Sequence, residues 1–206
     1  MHEFLIVAGL HLMAAMSPGP DFLMITKMSM AYSRKIGIYG AIGVGAGILV
    51  HVTYSLLGIA LIISKSIVLF NTIKILGALY LIYIGVQALR SKRADIEIDK
   101  VQKKEKEISH FQAFKMGFLV NVLNPKATLF FLALFTQVIS ASTPLGIKVL
   151  YGAEMSIVTA LWFSLVVLFF THHKIVKVYS NIKHYLDRVF GVMLIGLGIK
   201  VASTSR

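Results

Sequence analysis

Apolar stretches long enough to cross a lipid bilayer decide most of what this chain can become. A spanning helix needs about 20 predominantly apolar residues. Such stretches run from Phe4 to Met30, Ile36 to Ile63, Ile67 to Leu89, Phe111 to Ile139, Ile147 to Thr171 and, shorter, Val189 to Ala202. Six candidate spans in 206 residues leave little chain for anything else. Composition agrees: 57% of residues are hydrophobic, 15% are charged and mean hydropathy is +0.78, outside the balance of a soluble domain. The first span does not read as a cleavable signal, because Met-His-Glu-Phe lacks a basic n-region and the span is too long.

The formal charge of +12 would suit a nucleic-acid partner if it were clustered on one soluble face. Its distribution argues otherwise. If the spans alternate sides, one side carries Lys27, Arg34, Lys35, the run from Arg90 to Lys106, Lys115, Lys174, Lys177, Lys183 and Arg188, and the other only Lys65, Lys74, Lys148, Lys200 and Arg206. Lys- and Arg-rich short loops stay cytoplasmic, so the charge is a topology signal that predicts both termini outside, and no nucleic acid is expected. The chain has no cysteine, which excludes disulfides and thiolate metal sites.

The one long polar stretch, residues 90–110, mixes signs as in Lys103-Lys104-Glu105-Lys106-Glu107 and divides the chain into residues 1–89 and 111–206. An offset of 107 residues pairs Phe4 with Phe111, Leu12 with Leu119, Ser17-Pro18 with Asn124-Pro125 and Gly45-Ala46 with Gly152-Ala153; the last span needs about seven more, pairing Gly77 with Gly191. Three spans per copy is an odd number, so the second copy enters from the opposite side, a construction found in many secondary transporters. The expected fold is therefore an all-α integral membrane protein of six transmembrane helices. They form two inverted-topology three-helix repeats in which the first and fourth helices are broken. Gly37, Gly40, Gly43 and Gly47 fall at three- and four-residue steps on the second span, the pattern of close helix packing in lipid.

The breaks come from proline. Three of four prolines sit inside spans, in Met16-Ser17-Pro18-Gly19-Pro20-Asp21 and Leu123-Asn124-Pro125-Lys126. A mid-helix proline removes a backbone hydrogen bond and clashes with the preceding turn. Each motif reads as a helix restart, with Ser17 and Asn124 as N-caps and proline at N1. At 1.5 Å per residue the first restart lies about 20 Å along its span, somewhat beyond the middle of a roughly 30 Å core. A helix N-terminus favours an anion such as a carboxylate, and irregular backbone at this depth must be covered by protein or line a wet cavity.

Asp21 and Lys126 each stand in the first turn of a half-helix, where an unpaired charge costs about 2.5 to 3.5 kcal/mol or more. Two readings remain open: they neutralise each other, or Lys126 and the helix ends receive a carboxylate while Asp21 receives an ammonium group or a proton. Ser17, Gly19, Asp21, Asn124 and Lys126 are thus the candidate substrate residues. His51 could relay protons or simply bond within the bundle; Glu154 could couple or pair helices; Asn121, Thr128 and Gln137 follow the second motif. His172-His173 point to different helix faces, which argues against a shared metal site, and no metal or cofactor is expected. Trp162 reads as packing.

Ser17-Pro18-Gly19-Pro20, the Gly43-x-x-x-Gly47 pair with a following His51, Gly77-Ala-Leu-Tyr-Leu-Ile-Tyr-Ile-Gly85, and Asn124-Pro125-Lys126 followed by Phe130-Phe131 and Gln137 resemble, in order and over essentially the whole chain, the lysine exporter (LysE/RhtB) family, particularly its homoserine, threonine and leucine efflux branch. The resemblance implies a multi-pass exporter of amino acids or their derivatives in the bacterial inner membrane, driven by proton antiport without ATP. Its partners would be a small amino-acid substrate, protons and membrane lipid, and a homo-oligomer is compatible with it. Thr136 departs from the proline that many members carry before the glutamine. Competing classes are a passive channel or structural subunit, and an intramembrane hydrolase with Ser17 as nucleophile and Lys126 as base, for which no further base or oxyanion motif is present. No phosphate-binding Gly-x-x-x-x-Gly-Lys-Ser/Thr loop occurs, so no ATP-driven pump is expected; without a further base or oxyanion motif no enzyme is expected either.

Overall fold

A computed structural model describes residues 2–17, 19–90, 108–138, 143–169 and 173–203. These form eight helices, α1 (His2–Met16), α2 (Pro20–Ala31), α3 (Arg34–Lys65), α4 (Ile67–Leu89), α5 (His110–Val122), α6 (Pro125–Val138), α7 (Leu145–Phe169) and α8 (His173–Ser203), with no strand among the described residues. Three are long and apolar enough to cross a membrane, α3 over Arg34–Gly58, α4 and α7; α5 and α6, bent by 58° at their break, make a fourth candidate. Helix stops at Met16 and restarts at Pro20, and stops at Val122 and restarts at Pro125, at the two proline motifs, while residues 91–107, most of the expected linker, lie outside the described residues.

Two expectations need correction. The last span, read as Val189 to Ala202, belongs to a continuous 31-residue helix beginning at His173. Hydropathy marks only its apolar end. From residue 184 onward one buried face runs along the helix: His184, Asp187, Phe190, Gly191, Leu194, Gly198 and Val201 follow steps close to the helical period. Ser17, expected to cap the first restart, does not. Its N–H still bonds back to Met13 O at 3.0 Å, ending α1, and the N-cap of α2 is Gly19, with Pro20 at N1 and no side-chain cap. The residue before a proline is pushed out of the α region, and Gly19, which precedes Pro20, is extended at φ −159° and ψ −168°. The second proline therefore sets the restart.

Helix α3 is the central post, packed chiefly by α5 and α7, while α4 packs chiefly on α8. Both crossings depend on bare backbone. A Cβ on Gly43 would collide with the carbonyl of Phe114, and one on Gly117 with the carbonyl of Gly40. On the other pair, a Cβ on Gly85 would stand 2.7 Å from Gly191 O and one on Gly191 2.6 Å from Gly85 O. The core lies between these posts: Phe131, Leu134, Phe135 and Met155 in one cluster, Phe22, Ile25, Val44 and Val167 in another. Rows such as Leu76, Leu79 and Tyr83 on α4 and Ile157, Leu161 and Leu165 on α7 face outward. In water so much apolar surface would drive association, whereas lipid accepts it.

Gly43→Val should overfill the α3–α5 crossing and lose about 1 to 3 kcal/mol or more in an unfolding titration in detergent. Gly58→Ala and Gly146→Ala, where nothing lies within 4 Å of the added Cβ, should differ little from the parent.

Candidate functional site

The two helix breaks meet and satisfy one another. At the second, Asn124 caps α6: its Oδ1 accepts from Lys126 N at 3.0 Å, and its carbonyl accepts from Thr128 N at 3.0 Å. The other end of the same amide crosses to the first break, where Asn124 Nδ2 donates to Asp21 Oδ2 at 3.1 Å. Asn121, in the last turn of α5, donates to the same oxygen at 3.0 Å. In the return direction, Lys126 Nζ donates to the carbonyl of Ser17 at 3.1 Å, a group that the proline motif leaves without an ordinary helical partner. Lys126 also stands 5.7 Å from the centroid of the Phe190 ring, within cation–π range.

The acid and the base thus both line one cavity, each bonded to the opposite motif. That cavity encloses about 580 Å³ of empty space including its open mouth. Ser17, Gly19, Asp21, Asn121, Asn124 and Lys126 contribute its main polar wall, and Phe22, Phe131, Phe163, Phe190 and Leu194 its apolar one. Asp21 Oδ1 is buried with no hydrogen-bond partner among the described residues, so one carboxylate oxygen is held and the other is left without a described donor. The uncapped N-terminus of α2 and that of α6 both open on this space.

His51 stands behind the wall, fully buried. Its Nε2 lies 2.9 Å from Asn121 O, a pure acceptor, so Nε2 carries a proton. Its Nδ1 is 2.7 Å from Tyr54 Oη, which lies 3.4 Å from Thr128 O. In a neutral ring Tyr54 donates to Nδ1; in an imidazolium Nδ1 donates, and the tyrosine proton turns to Thr128. In both states α3 holds the chain before the second break through Asn121 O, in the imidazolium state Tyr54 also holds it beyond the break, and the ring stacks on Phe131 at 5.5 Å. Gly47 makes room for this arrangement, since a Cβ there would be 2.6 Å from Asn121 Oδ1.

Of the other expected residues, Glu154 is half-buried on α7 outside the cavity wall, with a buried Oε2 that has no hydrogen-bond partner among the described residues. Gln137 lies in α6, but its side chain lies outside the described residues, as does Pro18. Sequence reasoning overlooked His11 and Thr159, which line the cavity from α1 and α7. The available signal was that His11 is the only ionisable group between Phe4 and Met16 of the first span.

Helix breaks whose N-termini and opposite charges meet at one cavity are an arrangement found where membrane transporters hold their solutes. Residues 12–205 match the LysE type translocator model, and the chain belongs to that family. A threonine efflux protein of Escherichia coli (strain K12) is 31% identical, the alignment covering 95% of each chain. One from Salmonella typhimurium is 30% identical over 97% of each. An uncharacterized membrane protein of Bacillus subtilis (strain 168), YrhP, is 30% identical over 97% of this chain and 98% of its own. No solved structure matches.

Asn124→Ala removes both a helix cap and a donor to Asp21. It should cost about 1 kcal/mol for the cap plus about 1.5 to 3 kcal/mol for the charge-assisted bond, read as a lowered unfolding midpoint in detergent. Ser17→Ala, which touches no described side-chain bond, should stay within about 0.5 kcal/mol of the parent.

Proposed function

We propose that this protein exports amino acids from the cytoplasm across the bacterial inner membrane in exchange for protons, binding the substrate between the two helix breaks. The observation that carries the proposal is the cavity in which Lys126 and the α2 and α6 N-termini lie beside Asp21 Oδ1. A zwitterion fits that pattern, with its carboxylate at Lys126 and the helix ends and its ammonium at Asp21 Oδ1. The threonine efflux proteins among the relatives support the substrate class.

Exchange follows if a proton and the substrate ammonium compete for the same Asp21 oxygen. Each site occupant then has to leave before the other arrives. In this reading His51, whose Nε2 donates to the Asn121 carbonyl while the Asn121 amide donates to Asp21, senses that proton. The reading takes α1–α2, α3, α4, α5–α6, α7 and α8 as six spans in two inverted repeats. It is supported by the packing of α3 on its counterpart α7 and of α4 on its counterpart α8, which a two-fold axis passing between those pairs would give.

In inside-out vesicles, where export reads as uptake, Asp21→Asn and Lys126→Met should each lower accumulation of labelled threonine by about tenfold or more, the value of a charge-assisted hydrogen bond. Unchanged transport by both would sink the site. Collapsing the pH gradient in proteoliposomes should abolish uphill accumulation while leaving counterflow; flux indifferent to the gradient would mean a passive channel instead.

A further inference from the structure

The cavity holds two polar groupings, and the zwitterion uses only one. Asp21, Asn121, Asn124, Lys126 and the Ser17 carbonyl are tied together by the bonds given above. On the wall supplied by α1 and α7, His11 Nε2 and Thr159 Oγ1 stand 3.1 Å apart. Both residues line the same cavity, and they are only 2% and 1% exposed. His11 Nδ1 has no hydrogen-bond partner among the described residues. Its ring lies beside Phe131, at 5.8 Å between centroids, in otherwise apolar surroundings. A clasp between α1 and α7 would need only Nε2. The unpartnered nitrogen, on a residue that lines the proposed substrate cavity, is the part a clasp does not explain.

We infer that His11, its ring held by Thr159, is a specificity-determining residue that reads a hydroxyl on the side chain of the exported amino acid. The inference rests on the amino-acid-export reading of this site. With one nitrogen engaged by Thr159, the ring offers a ligand one further group, a donor or an acceptor according to its tautomer. A hydroxyl serves either role with a single bond. A carboxamide brings two donors and an acceptor that this wall cannot all satisfy, and a charged side chain would need a countercharge when Asp21 and Lys126 are already engaged by the zwitterion. A substrate carrying methyl in place of hydroxyl leaves Nδ1 unpaired, and that unpaired group is what rejects it.

Threonine and valine are near-isosteres that differ in this one group, so their kcat/KM ratio in proteoliposomes is the test. The purified wild-type protein should favour threonine over valine by about tenfold or more. His11→Leu and Thr159→Val should each bring the ratio to within about threefold of unity while still moving valine, and Thr159→Ser should keep the wild-type ratio. If His11→Leu fails to fold, the Thr159→Val and Thr159→Ser pair decides by itself. A wild-type ratio near one, or variants that retain the wild-type ratio, overturns the inference and leaves the export reading standing. A wild-type protein that moves neither these two nor any other amino acid overturns the export reading itself.

Discussion

A backbone group freed by a proline inside an apolar slab has no water to turn to, and this protein meets that constraint by making each break the other's partner. Asn124 serves both at once, capping α6 with its oxygen and holding Asp21 with its nitrogen. Lys126 answers from the same turn by taking the Ser17 carbonyl. Neither motif would be tolerable alone at membrane depth, because each leaves polar atoms that only the other supplies. The arrangement is therefore cooperative. It also explains why the rest of α3 looks as it does. Bare backbone at Gly43 lets α5 come close, bare backbone at Gly47 leaves space for Asn121, and His51 with Tyr54 then reaches the chain on both sides of the second break.

Much of this was legible in the residues because prolines, charges and apolar runs act locally. The second, third and fifth spans fall within a few residues of α3, α4 and α7, since a continuous apolar run and a helix there share their ends. Asn124 as a cap could be read because one proline follows it directly. Ser17 could not be judged the same way: two prolines stand two residues apart, and which one sets the restart depends on the backbone of Gly19 between them. The length of α8 was hidden because its first half is basic, and hydropathy marks only the apolar end.

Site membership was less readable than site chemistry. Asp21 and Lys126 stood out because charge is rare in such spans, whereas His11 and Thr159 are ordinary residues whose meaning comes from facing each other across two helices 148 residues apart in the chain. Glu154 shows the converse. Its charge marks it as costly, yet the turn of α7 places it away from the cavity that receives Thr159. The capping box at the start of α5, Ser109 with Gln112, was also present in the sequence as a serine three residues before a glutamine.

The meeting of the two breaks has an electrical side as well. At the 107-residue offset, Asp21 corresponds to Thr128, Lys126 to Gly19 and Asn121 to Ala14, so the two motifs share their proline and almost none of their polarity. One half brings the acid; the other brings the base and both amides. A cavity built between two equivalent halves would look the same from either end. This one has a direction, with the Lys126 ammonium on one side and the Asp21 carboxylate on the other, and a zwitterion held as proposed would lie in it one way round, its side chain presented to the same wall each time.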